Sequence, residues 1–526
     1  MKRVLALLIA VLTIFAFVSC GGDDEATSAA ATTASSEPVT INLWYGAAIT
    51  EAGPIPDDWV GYDILREEHG IDLHLSVLPS NESDQDVRIQ AAAAGNSLPD
   101  LFMVSRPVLT RLVDQGLVAP VDDYYALMPN RTAQQYDADS IAMSTIDGHS
   151  YGFASPGSVA KNEGLLIRKD WLDNLGLEVP TNLDELMEVM IAFTYDDPDG
   201  NGKDDTYGYG AYIESDATLK GYPGARLFPI LGAFGVDGLW CLEEENLGLN
   251  VYKPEFYDAM VYIRQMCEEG VMDPNWLTYK KDDFRAAWKQ GRFGIMKEQN
   301  AAYAAEANYA PFDANFPDGE WIIVDPPKGP EGLASVGAYD QNYRIYAMSQ
   351  DAVDAGKAEK ICELLEWMSS DEGYFLCGWG QEGVNYVLDE NGVPVAGDLG
   401  DNAFSGTQGQ VYTQLRNMVF YNSDTELASR YPTYTTATSG KTMSALTALR
   451  EMQSKYWTAA IGSGQMPTPN ADVQRYYEQS LAEFLSGQRA LTPENWQAFL
   501  DQFNAIGGAD WNAQGVAYAQ ENGLVR

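Results

Sequence analysis

The segment Ile71-Asp72-Leu73-His74-Leu75-Ser76-Val77-Leu78 alternates apolar and polar residues, the pattern of a β-strand with one buried face. Thr40–Tyr45 predicts a strand before it, and Trp59–Glu68 between the two has a helical pattern. After it, Asp86–Ala94 favours a helix and Leu98–Val104 returns to strand. This order of strand, helix, strand, helix, strand predicts a parallel sheet covered by helices, and so an α/β fold.

The middle of the chain continues this mixture of strands and helices. Gly164–Arg168 predicts an apolar strand, and Thr181 predicts a helix N-cap because a carboxylate follows three residues later at Asp184. Arg344–Met348 predicts a strand that returns to the first sheet. No repeat of roughly 20–50 residues is visible, which argues against a solenoid or a propeller.

Length and composition bound the class of protein. The body from Val39 to Arg526 is long enough for two or three domains of about 150 residues each, and 45% hydrophobic residues with 12 Trp support a large core. The net charge of −43 disfavours nucleic acid and anionic lipid surfaces as partners. Three histidines without an HExxH pattern argue against a zinc hydrolase, and sparse cysteines argue against a disulfide framework.

The first residues predict export. A basic dipeptide precedes an almost entirely apolar run, Val4–Val18, which is shorter than the ~20 residues that span a bilayer. The small residue Ser19 follows the run, just before Cys20. This resembles a bacterial lipobox, which implies a signal peptide at 1–19 and a lipid on Cys20 that anchors the protein to the cell membrane. Residues 20–38 are mostly Gly, Ala, Thr, Ser and acidic residues, and predict a flexible tether. The alternative is simple secretion, in which Cys20 has no role.

Five blocks of sequence carry a family resemblance: Glu163–Leu172, Leu177–Leu186, Gly291–Met296, Leu364–Gly373 and Gly380–Tyr386. In this order they resemble the family 1 extracellular solute-binding proteins of bacterial ABC sugar importers. The last block matches the G-x-E-G-x-x-Y motif of the LplA-like lipoprotein subgroup, which includes alginate-oligosaccharide-binding proteins. The order of the blocks over most of the chain, rather than any one block, makes the resemblance specific.

The resemblance implies the two-lobed, type II fold of periplasmic binding proteins, in which α/β lobes with parallel sheets are joined by a hinge and close on a ligand between them. The lobes would be discontinuous, with 39–158 plus 337–380 in the N-terminal lobe and 159–336 plus 381–526 in the C-terminal lobe. It also implies an extracytoplasmic monomer that delivers its ligand to permease subunits. No GxxxxGK[ST] loop occurs in the chain, so the ATPase would be a separate partner.

The segment Asp197–Thr206 has oxygen-bearing residues at alternate positions and a glycine at the sixth, the pattern of a loop that wraps Ca²⁺. The LplA-like relatives carry calcium on such a loop, with a Glu where this chain has Thr206. The twelfth position is Gly208, so the loop is not a true EF-hand. We therefore expect a structural Ca²⁺, and the alternative is a solvated turn. The candidate ligands are Asp197, Asp199, Asn201, Lys203 through its backbone carbonyl, Asp205 and Thr206.

Sugar rings present apolar faces edged with hydroxyls, which proteins bind with flat aromatic rings and polar side chains. Aromatic and charged residues at predicted lobe edges, loop tips and crossings are therefore the candidate ligand contacts. They are Trp44, Tyr45, Trp240, Trp276, Tyr339, Asp340, Arg344, Trp379, Glu382 and Trp457. The alternative for each aromatic residue is a place in the core. Because no cluster of Arg and Lys is visible in the sequence, a neutral oligosaccharide is favoured over an anionic one.

Two other functions remain open from the sequence. Related bilobal proteins bind peptides, so a peptide or another non-sugar solute is an alternative ligand. A secreted glycoside-active enzyme is the other alternative, since paired carboxylates can always be found among 76 acidic residues. No serine-nucleophile motif occurs in a strand–turn–helix context, which favours binding without catalysis.

Overall fold

The structure is a computed structural model that describes residues 37–80, 82–157, 159–213, 224–236, 238–339, 343–459, 466–521 and 524–525. The predicted signal peptide, Cys20 and most of the predicted tether lie outside the described residues, as does the candidate ligand contact Asp340. The described body contains two main sheets, each covered by helices.

The strands of these sheets are, in chain order, β1 (Val39–Gly46), β2 (Ile71–Leu78), β3 (Leu101–Val104), β4 (Phe153–Pro156), β5 (Glu163–Arg168), β6 (Tyr207–Gly210), β7 (Phe293–Gln299), β8 (Trp321–Val324) and β9 (Tyr343–Met348). Two-residue ladders pair Thr145–Ile146 with His149–Ser150, Trp240–Cys241 with Gly248–Leu249, Ala338–Tyr339 with Thr458–Ala459, Val387–Leu388 with Pro394–Val395, and Tyr434–Thr435 with Thr442–Met443. The α-helices are Val60–Glu68, Glu82–Ala94, Arg106–Asp114, Pro129–Gln135, Ala138–Ser144, Lys169–Leu175, Leu183–Tyr195, Phe228–Ala233, Pro254–Glu268, Lys281–Lys289, Asn300–Ala304, Glu306–Asn315, Gln350–Asp354, Ala358–Trp367, Asp371–Trp379, Arg416–Val419, Asp424–Arg430, Ala445–Ser454, Ala471–Ser486, Pro493–Phe503 and Ala509–Glu521.

The first sheet has the strand order β2-β1-β3-β9-β4. β1 is parallel to β2, from the pair Val39–Ile71 to the pair Gly46–Leu78, and it is also parallel to β3. This confirms the parallel opening predicted from the sequence. β9 lies between β3 and β4 and is antiparallel to both, so the later strand returns to the first sheet as predicted.

The second sheet has the order β8-β5-β7-β6, in which β5 is antiparallel to both neighbours and β7 is parallel to β6. Both sheets are therefore mixed, whereas the sequence predicted parallel sheets. The direction of the crossings explains the difference. β4 runs toward the junction between the sheets and β5 starts there, paired at Glu163 with Gln299, the last residue of β7. A strand that starts at this junction must run against strands that end there.

The helix Leu183–Tyr195 shows how closely local sequence determines an element. Its N-cap is Asn182, whose side-chain oxygen accepts a hydrogen bond from the Glu185 backbone N–H at 3.0 Å. The Glu185 carboxylate in turn accepts from the backbone and hydroxyl of Thr181, both at 2.8 Å. The predicted cap at Thr181 is thus wrong by one residue, because Asn182 caps the Glu185 N–H, whereas Thr181 donates to the Glu185 carboxylate from the position before the cap.

The buried apolar residues form separate clusters for the two sheets. Ile41, Leu43 and Leu101 belong to a core under the first sheet, and Ile167 and Ile295 belong to the core of the second. Helices from the C-terminal part of the chain, including Ala471–Ser486 and Pro493–Phe503, complete the second core. Each sheet therefore has its own hydrophobic core, as expected of two lobes.

The segment Gln414–Val419 contacts the first lobe, which differs from the predicted assignment of 381–526 to the C-terminal lobe. Leu415, Met418 and Val419 share the apolar cluster of Ile41 and Leu43. The fully buried Gln414 side chain accepts from the Ile49 backbone N–H and donates to the carbonyl oxygens of Ile49 and Gly53. Apolar burial and these hydrogen bonds explain why this segment returns to the end of β1. The other predicted lobe boundaries stay predictions.

In the part of the chain that the structure describes, no helix combines the length and apolar character needed to cross a bilayer. The cysteines of this part, Cys241, Cys267, Cys362 and Cys377, are free thiols.

Candidate ligand-binding site

A cavity of about 280 Å³ opens at the edge of the first sheet where the chain crosses to the second. Ala48 lies just after β1, Pro156 and Gly157 lie at and after the end of β4, and Arg344 is the second residue of β9. Because β9 is antiparallel to β4, its beginning lies at the same edge as the carboxyl end of β4. This is the edge at which open α/β sheets bind ligands.

The opposite walls come from later parts of the chain. Their residues include aromatic, amide and charged side chains: Trp379, Phe404, Arg416, Asn417, Phe420, Asn422, Glu426, Leu427, Ser429 and Arg430. Leu427 shares an apolar cluster with Val159, which follows β4, and with Leu449, whose helix also reaches the second lobe's side of the structure. The cavity therefore lies at the junction between the lobes.

Three arginines line this one cavity: Arg344, Arg416 and Arg430. Arg344 donates from Nη2 to the carbonyl oxygen of Gly157 at 2.9 Å and from Nη1 to that of Asn417 at 3.5 Å. Burial lowers the pKa of Arg344 and of Arg416, and the nearby positive charge of Arg430 lowers both further. Among the described residues, none of the three arginines has a carboxylate within 4.0 Å.

Glu426 is the acidic residue in the cavity wall, and its carboxylate is occupied by neutral donors. Its Oε1 accepts from the Tyr374 hydroxyl at 2.8 Å and from the Tyr421 N–H at 3.1 Å, and its Oε2 accepts from the Asn422 N–H at 2.6 Å. Burial raises the pKa of Glu426. The cavity is therefore positive in its local balance of charge.

The aromatic residues of the cavity differ in exposure. Trp379 is 2% exposed, its Nε1 donates to the Ser429 hydroxyl at 3.0 Å, and its ring lies 4.8 Å from that of Phe420. Phe404 and Phe420 are only partly buried. The rings available for contact with a ligand thus belong to Phe404 and Phe420, and Trp379 supports Phe420 from behind.

The predicted contacts Arg344 and Trp379 line the cavity, whereas other predicted contacts of the first lobe do not. Tyr45 is fully buried in the first core, and burial raises the pKa of its hydroxyl. Trp44 packs on the other cluster of this lobe and is covered by the Arg88 guanidinium, 4.2 Å from its ring. Both side chains pack within the lobe because β1 is an inner strand of its sheet and the two residues face different apolar clusters.

The predicted tryptophans of the second lobe are also packed. Trp276 is buried in the second core, and Trp240 contacts Trp511 edge to face with ring centroids 5.4 Å apart. Trp457 is 8% exposed and its Nε1 donates to the Met452 carbonyl at 3.0 Å. Each ring is held by apolar or hydrogen-bonding neighbours and lies outside the cavity wall, and contact of these residues with a ligand stays a prediction.

Two predicted contacts lie on loops or short strands outside the cavity wall. Glu382 is exposed and its backbone bridges to Tyr386. Tyr339 pairs through its backbone with Ala459. Their contact with a ligand stays a prediction. The cavity residues Arg416, Arg430, Phe404 and Phe420 were not predicted from the sequence, because no spacing or motif links them to Arg344. Arg416 and Phe420 reach the cavity through the return of Gln414–Val419 to the first lobe.

The predicted calcium loop is a compact turn after the helix Leu183–Tyr195. Asn201 bridges its carboxylates, with Nδ2 donating to Asp199 at 2.9 Å and to Asp205 at 3.1 Å. Asp197 accepts from the Gly202 N–H at 2.9 Å and has a backbone φ of +49°. Burial and the neighbouring carboxylates of Asp197 and Asp205 raise the pKa of Asp199.

The loop carries oxygen-bearing residues of the kind that bind a cation, and one observation supports a cation there. The second carboxylate oxygen of Asp197 is buried and has no hydrogen-bond partner among the described residues, as expected of a cation ligand. Two other observations limit the fit. Within the same part of the chain, however, no three or more His, Cys, Asp or Glu side chains are placed to hold a metal. Thr206 is buried and donates to the Phe193 carbonyl at 2.9 Å, so its hydroxyl faces the lobe interior, unlike the predicted ligand.

A buried ionic network occupies the edge of the second sheet at the junction. Glu163, the first residue of β5, accepts from Arg226 at 3.1 Å and from the Lys297 ammonium. Arg285 pairs with the fully buried Glu298 at 3.0 Å. Burial opposes ionisation of Glu163, but Lys297 and Arg226 outweigh it and lower its pKa to about 2.

Comparison with known proteins agrees with this architecture. Residues 48–374 match the family model of bacterial extracellular solute-binding proteins. The chain is 27% identical over 309 residues to the polygalacturonan/rhamnogalacturonan-binding protein YtcQ of Bacillus subtilis (strain 168), which covers 58% of this chain and 59% of that protein. The chain thus spans less than two thirds of this relative's length.

Solved structures share the fold at low sequence identity. The HMO-binding, ABC-transporter-associated solute-binding protein of Bifidobacterium longum infantis ATCC 15697 has a TM-score of 0.63 and 16% identity, covering 92% of this chain and 99% of that one. The alginate-binding protein AlgQ2, solved without calcium ion, has a TM-score of 0.56 and 16% identity, covering 92% and 98%. These likenesses confirm the predicted two-lobed type II fold. Since the family match covers more than half of the chain and the fold agrees with it, the chain belongs to the bacterial extracellular solute-binding proteins.

Proposed function

We propose that this protein is the substrate-binding component of a bacterial ABC importer and that its ligand is an oligosaccharide. The observation that carries the proposal is the cavity at the junction of the lobes, which combines two partly exposed aromatic rings, Phe404 and Phe420, with arginine and amide side chains. Aromatic faces beside hydrogen-bonding groups suit sugar rings. The names of YtcQ, AlgQ2 and the HMO-binding protein, all carbohydrate binders, support the same ligand class.

The proposed mechanism is closure of the lobes on the ligand. The chain crosses the junction after Pro156 and again before Tyr343, and the cavity lies beside both crossings. A ligand that contacts both lobes stabilises the closed form by its differential contacts, and permease subunits with a separate ATPase would receive the ligand from that form. The proposal includes a monomer anchored at the outer face of the membrane through a lipid on Cys20.

Binding without catalysis is part of the proposal. A glycosidase of the usual kind needs two carboxyl groups that flank the scissile bond. Of the described residues that line the cavity, Glu426 alone carries a carboxylate, and neutral donors already occupy both of its oxygens. The relatives named above are binding proteins, which favours the same conclusion.

We also propose that the loop Asp197–Thr206 holds a structural Ca²⁺. Asp197, Asp199, Asn201 and Asp205 would supply the side-chain oxygens and Lys203 its carbonyl. The partnerless oxygen of Asp197 and the raised pKa of Asp199 support this, since a cation would satisfy the first and favour the ionised form of the second. A bound ion would neutralise the crowded carboxylates and so stabilise the turn.

The test is a thermal-shift screen of the purified protein against neutral oligosaccharides, acidic oligosaccharides and peptides, followed by mass spectrometry of the bound sugars. A ligand that binds only the native state raises the melting temperature by mass action. We expect a shift with one class of oligosaccharide and no cleavage products. Stabilisation by peptides alone would show that the ligand is not a sugar, and cleaved sugar would contradict a binding protein.

A further inference from the structure

We infer that the cavity recognises an acidic sugar, with a uronate carboxylate held by Arg344, Arg416 and Arg430. This inference rests on the proposed function, since it names the ligand class of the same site. It reverses the neutral ligand favoured by the sequence, in which the arginines lie far apart and show no cluster. The fold brings them to one cavity from β9 and from the helices Arg416–Val419 and Asp424–Arg430.

The first argument is the unbalanced charge. The chain carries 76 acidic and 33 basic residues, so an arginine without a carboxylate neighbour is unexpected on composition alone. The acidic side chain in the cavity wall, Glu426, accepts hydrogen bonds from Tyr374 and from two backbone N–H groups rather than from an arginine. Glu426 favours the charged form of Arg344 from a distance, but among the described residues none of the three arginines has a carboxylate within 4.0 Å, which favours an anionic ligand.

The second argument is the unused hydrogen-bonding capacity. Arg416 is half-buried and Arg430 is exposed beside the Tyr431 ring, yet the side chain of neither donates a hydrogen bond to a described residue. Arg344 uses two of its nitrogens on backbone carbonyls. A guanidinium presents five donors in a planar fork that matches the two oxygens of a carboxylate. The free donors are therefore suited to a planar acid group.

The third argument is the electrostatic cost of a neutral ligand. Burial and mutual repulsion already lower the pKa of Arg344 and Arg416. A neutral sugar that displaces water from this cavity would desolvate the arginines further without supplying negative charge. A carboxylate would supply negative charge beside the three arginines, while the sugar ring would contact Phe420 or Phe404.

The size of the cavity limits what it holds. At about 280 Å³ it is near the lower end of small-molecule pockets, about 300–1,000 Å³. It would therefore hold the acidic end of an oligosaccharide rather than a long chain. Carboxylates elsewhere on the ligand are not required by the site.

Isothermal titration calorimetry on the purified full chain tests the inference. The probes are trisaccharides of galacturonate, mannuronate and guluronate, each as the free acid and as the full methyl ester, with maltotriose and a sulfated galactan trisaccharide for comparison. The ester keeps the sugar skeleton, removes the charge and adds one methyl group to each carboxyl. We expect one free acid to bind roughly 100-fold more tightly than its ester, from two charge-assisted hydrogen bonds.

Variants separate recognition from folding. Arg416→Gln and Arg430→Gln remove no hydrogen bond with a described residue, so their melting temperatures are expected to match the parent chain. Each is expected to weaken binding of the acid roughly 10-fold or more and to change binding of the ester less than about 3-fold. Arg416→Lys keeps the positive charge and loses the planar guanidinium. Its affinity for the acid is expected to lie between that of the parent chain and that of Arg416→Gln. The control is Arg475→Gln, an exposed arginine paired with Asp472 on the helix Ala471–Ser486.

Each other outcome is decisive. Equal binding of acid and ester, or tight binding of maltotriose alone, would overturn the inference and leave the oligosaccharide proposal intact. Preference for the sulfated trisaccharide over every uronate would overturn the carboxylate assignment. If no sugar binds, both the inference and the proposed function are contradicted.

Discussion

Arg344 donates a hydrogen bond from Nη2 to the carbonyl oxygen of Gly157 at 2.9 Å. The bond joins the beginning of β9 to the residue that follows β4, where the chain leaves the first lobe for β5. One side chain therefore both lines the cavity and holds a crossing that the proposed closure would move. Ligand binding at Arg344 would be coupled to the geometry of the junction.

Loss of this side chain is expected to destabilise the ligand-free protein. Arg344→Ala leaves the carbonyl oxygens of Gly157 and Asn417 without their donor, which costs about 1–3 kcal/mol when such groups are buried. Urea unfolding followed by Trp fluorescence measures the change. Arg416→Ala, in the same cavity but without a hydrogen bond to a described residue, is the control and is expected to cost less than Arg344→Ala, because it leaves no carbonyl oxygen without its donor. Equal costs for the two variants would contradict a structural role for the Arg344 bond.

The ionic network at Glu163 is expected to give an acid-dependent contribution to stability. The folded pKa of Glu163, about 2, lies below its ordinary value of 4.5, so the stabilisation is present above pH 4.5 and is lost as the pH falls toward 2. A shift of this size corresponds to a contribution on the order of 3 kcal/mol. Unfolding free energies of the parent chain and of Glu163→Gln, measured between pH 7 and pH 2, separate the contribution of Glu163 from that of the other titrating acids.

We expect Glu163→Gln to be less stable than the parent at pH 7, because it leaves Lys297 without its carboxylate partner, and we expect the difference to narrow below pH 4.5. The control is Glu382→Gln at an exposed glutamate. A difference between Glu163→Gln and the parent that stays constant from pH 7 to pH 2 would show that Glu163 does not titrate as the structure indicates.

Local patterns predicted β1, β2, β3 and β9 of the first sheet but not β4, and tertiary contacts determined the site. β1 and β2 follow from alternation and composition, which act within a few residues. The N-cap at Asn182 was missed by one residue, because Thr181, Asn182 and Glu185 all take part in one hydrogen-bonded turn. The arginine cluster could not be predicted, since Arg416 and Arg430 reach Arg344 only after the segment from Gln414 has packed on the first lobe.

Local sequence does not distinguish an aromatic residue that contacts a ligand from one that packs in a core. A tryptophan at the end of a strand or near a crossing has the same sequence signature whether it faces a ligand or a core. Trp276 and Trp457 were predicted to contact ligand, and both are buried with their own partners. Burial depends on helices that come from distant parts of the chain, which a local pattern does not contain.

The docking of the segment that begins at Gln414 can be tested at that residue. Gln414→Ala is expected to lower stability by about 2–4 kcal/mol, because it leaves the Ile49 N–H and the carbonyl oxygens of Ile49 and Gly53 without partners in a buried site. It is also expected to weaken sugar binding, since the wall that carries Arg416 and Phe420 follows directly. Gln408→Ala, at an exposed side chain before the same segment, is expected to leave stability and sugar binding unchanged. Denaturant unfolding measures stability, and calorimetry measures sugar binding.

The proposed calcium loop predicts an ion-dependent melting temperature. One millimolar CaCl₂ (~100 times an assumed Kd) is expected to raise the melting temperature by about 2 °C or more, and chelation by EGTA to reverse the increase. The double variant Asp197→Asn with Asp199→Asn removes two of the proposed ligand charges and is expected to abolish the response. Asp389→Asn is the matched control, since Asp389 also accepts backbone hydrogen bonds in an exposed turn, from Asn391 and Val393. A calcium response that survives in the double variant would place the ion elsewhere. Absence of a response in the parent chain would identify the loop as a turn held by its own hydrogen bonds, including those of Asn201 and Asp197.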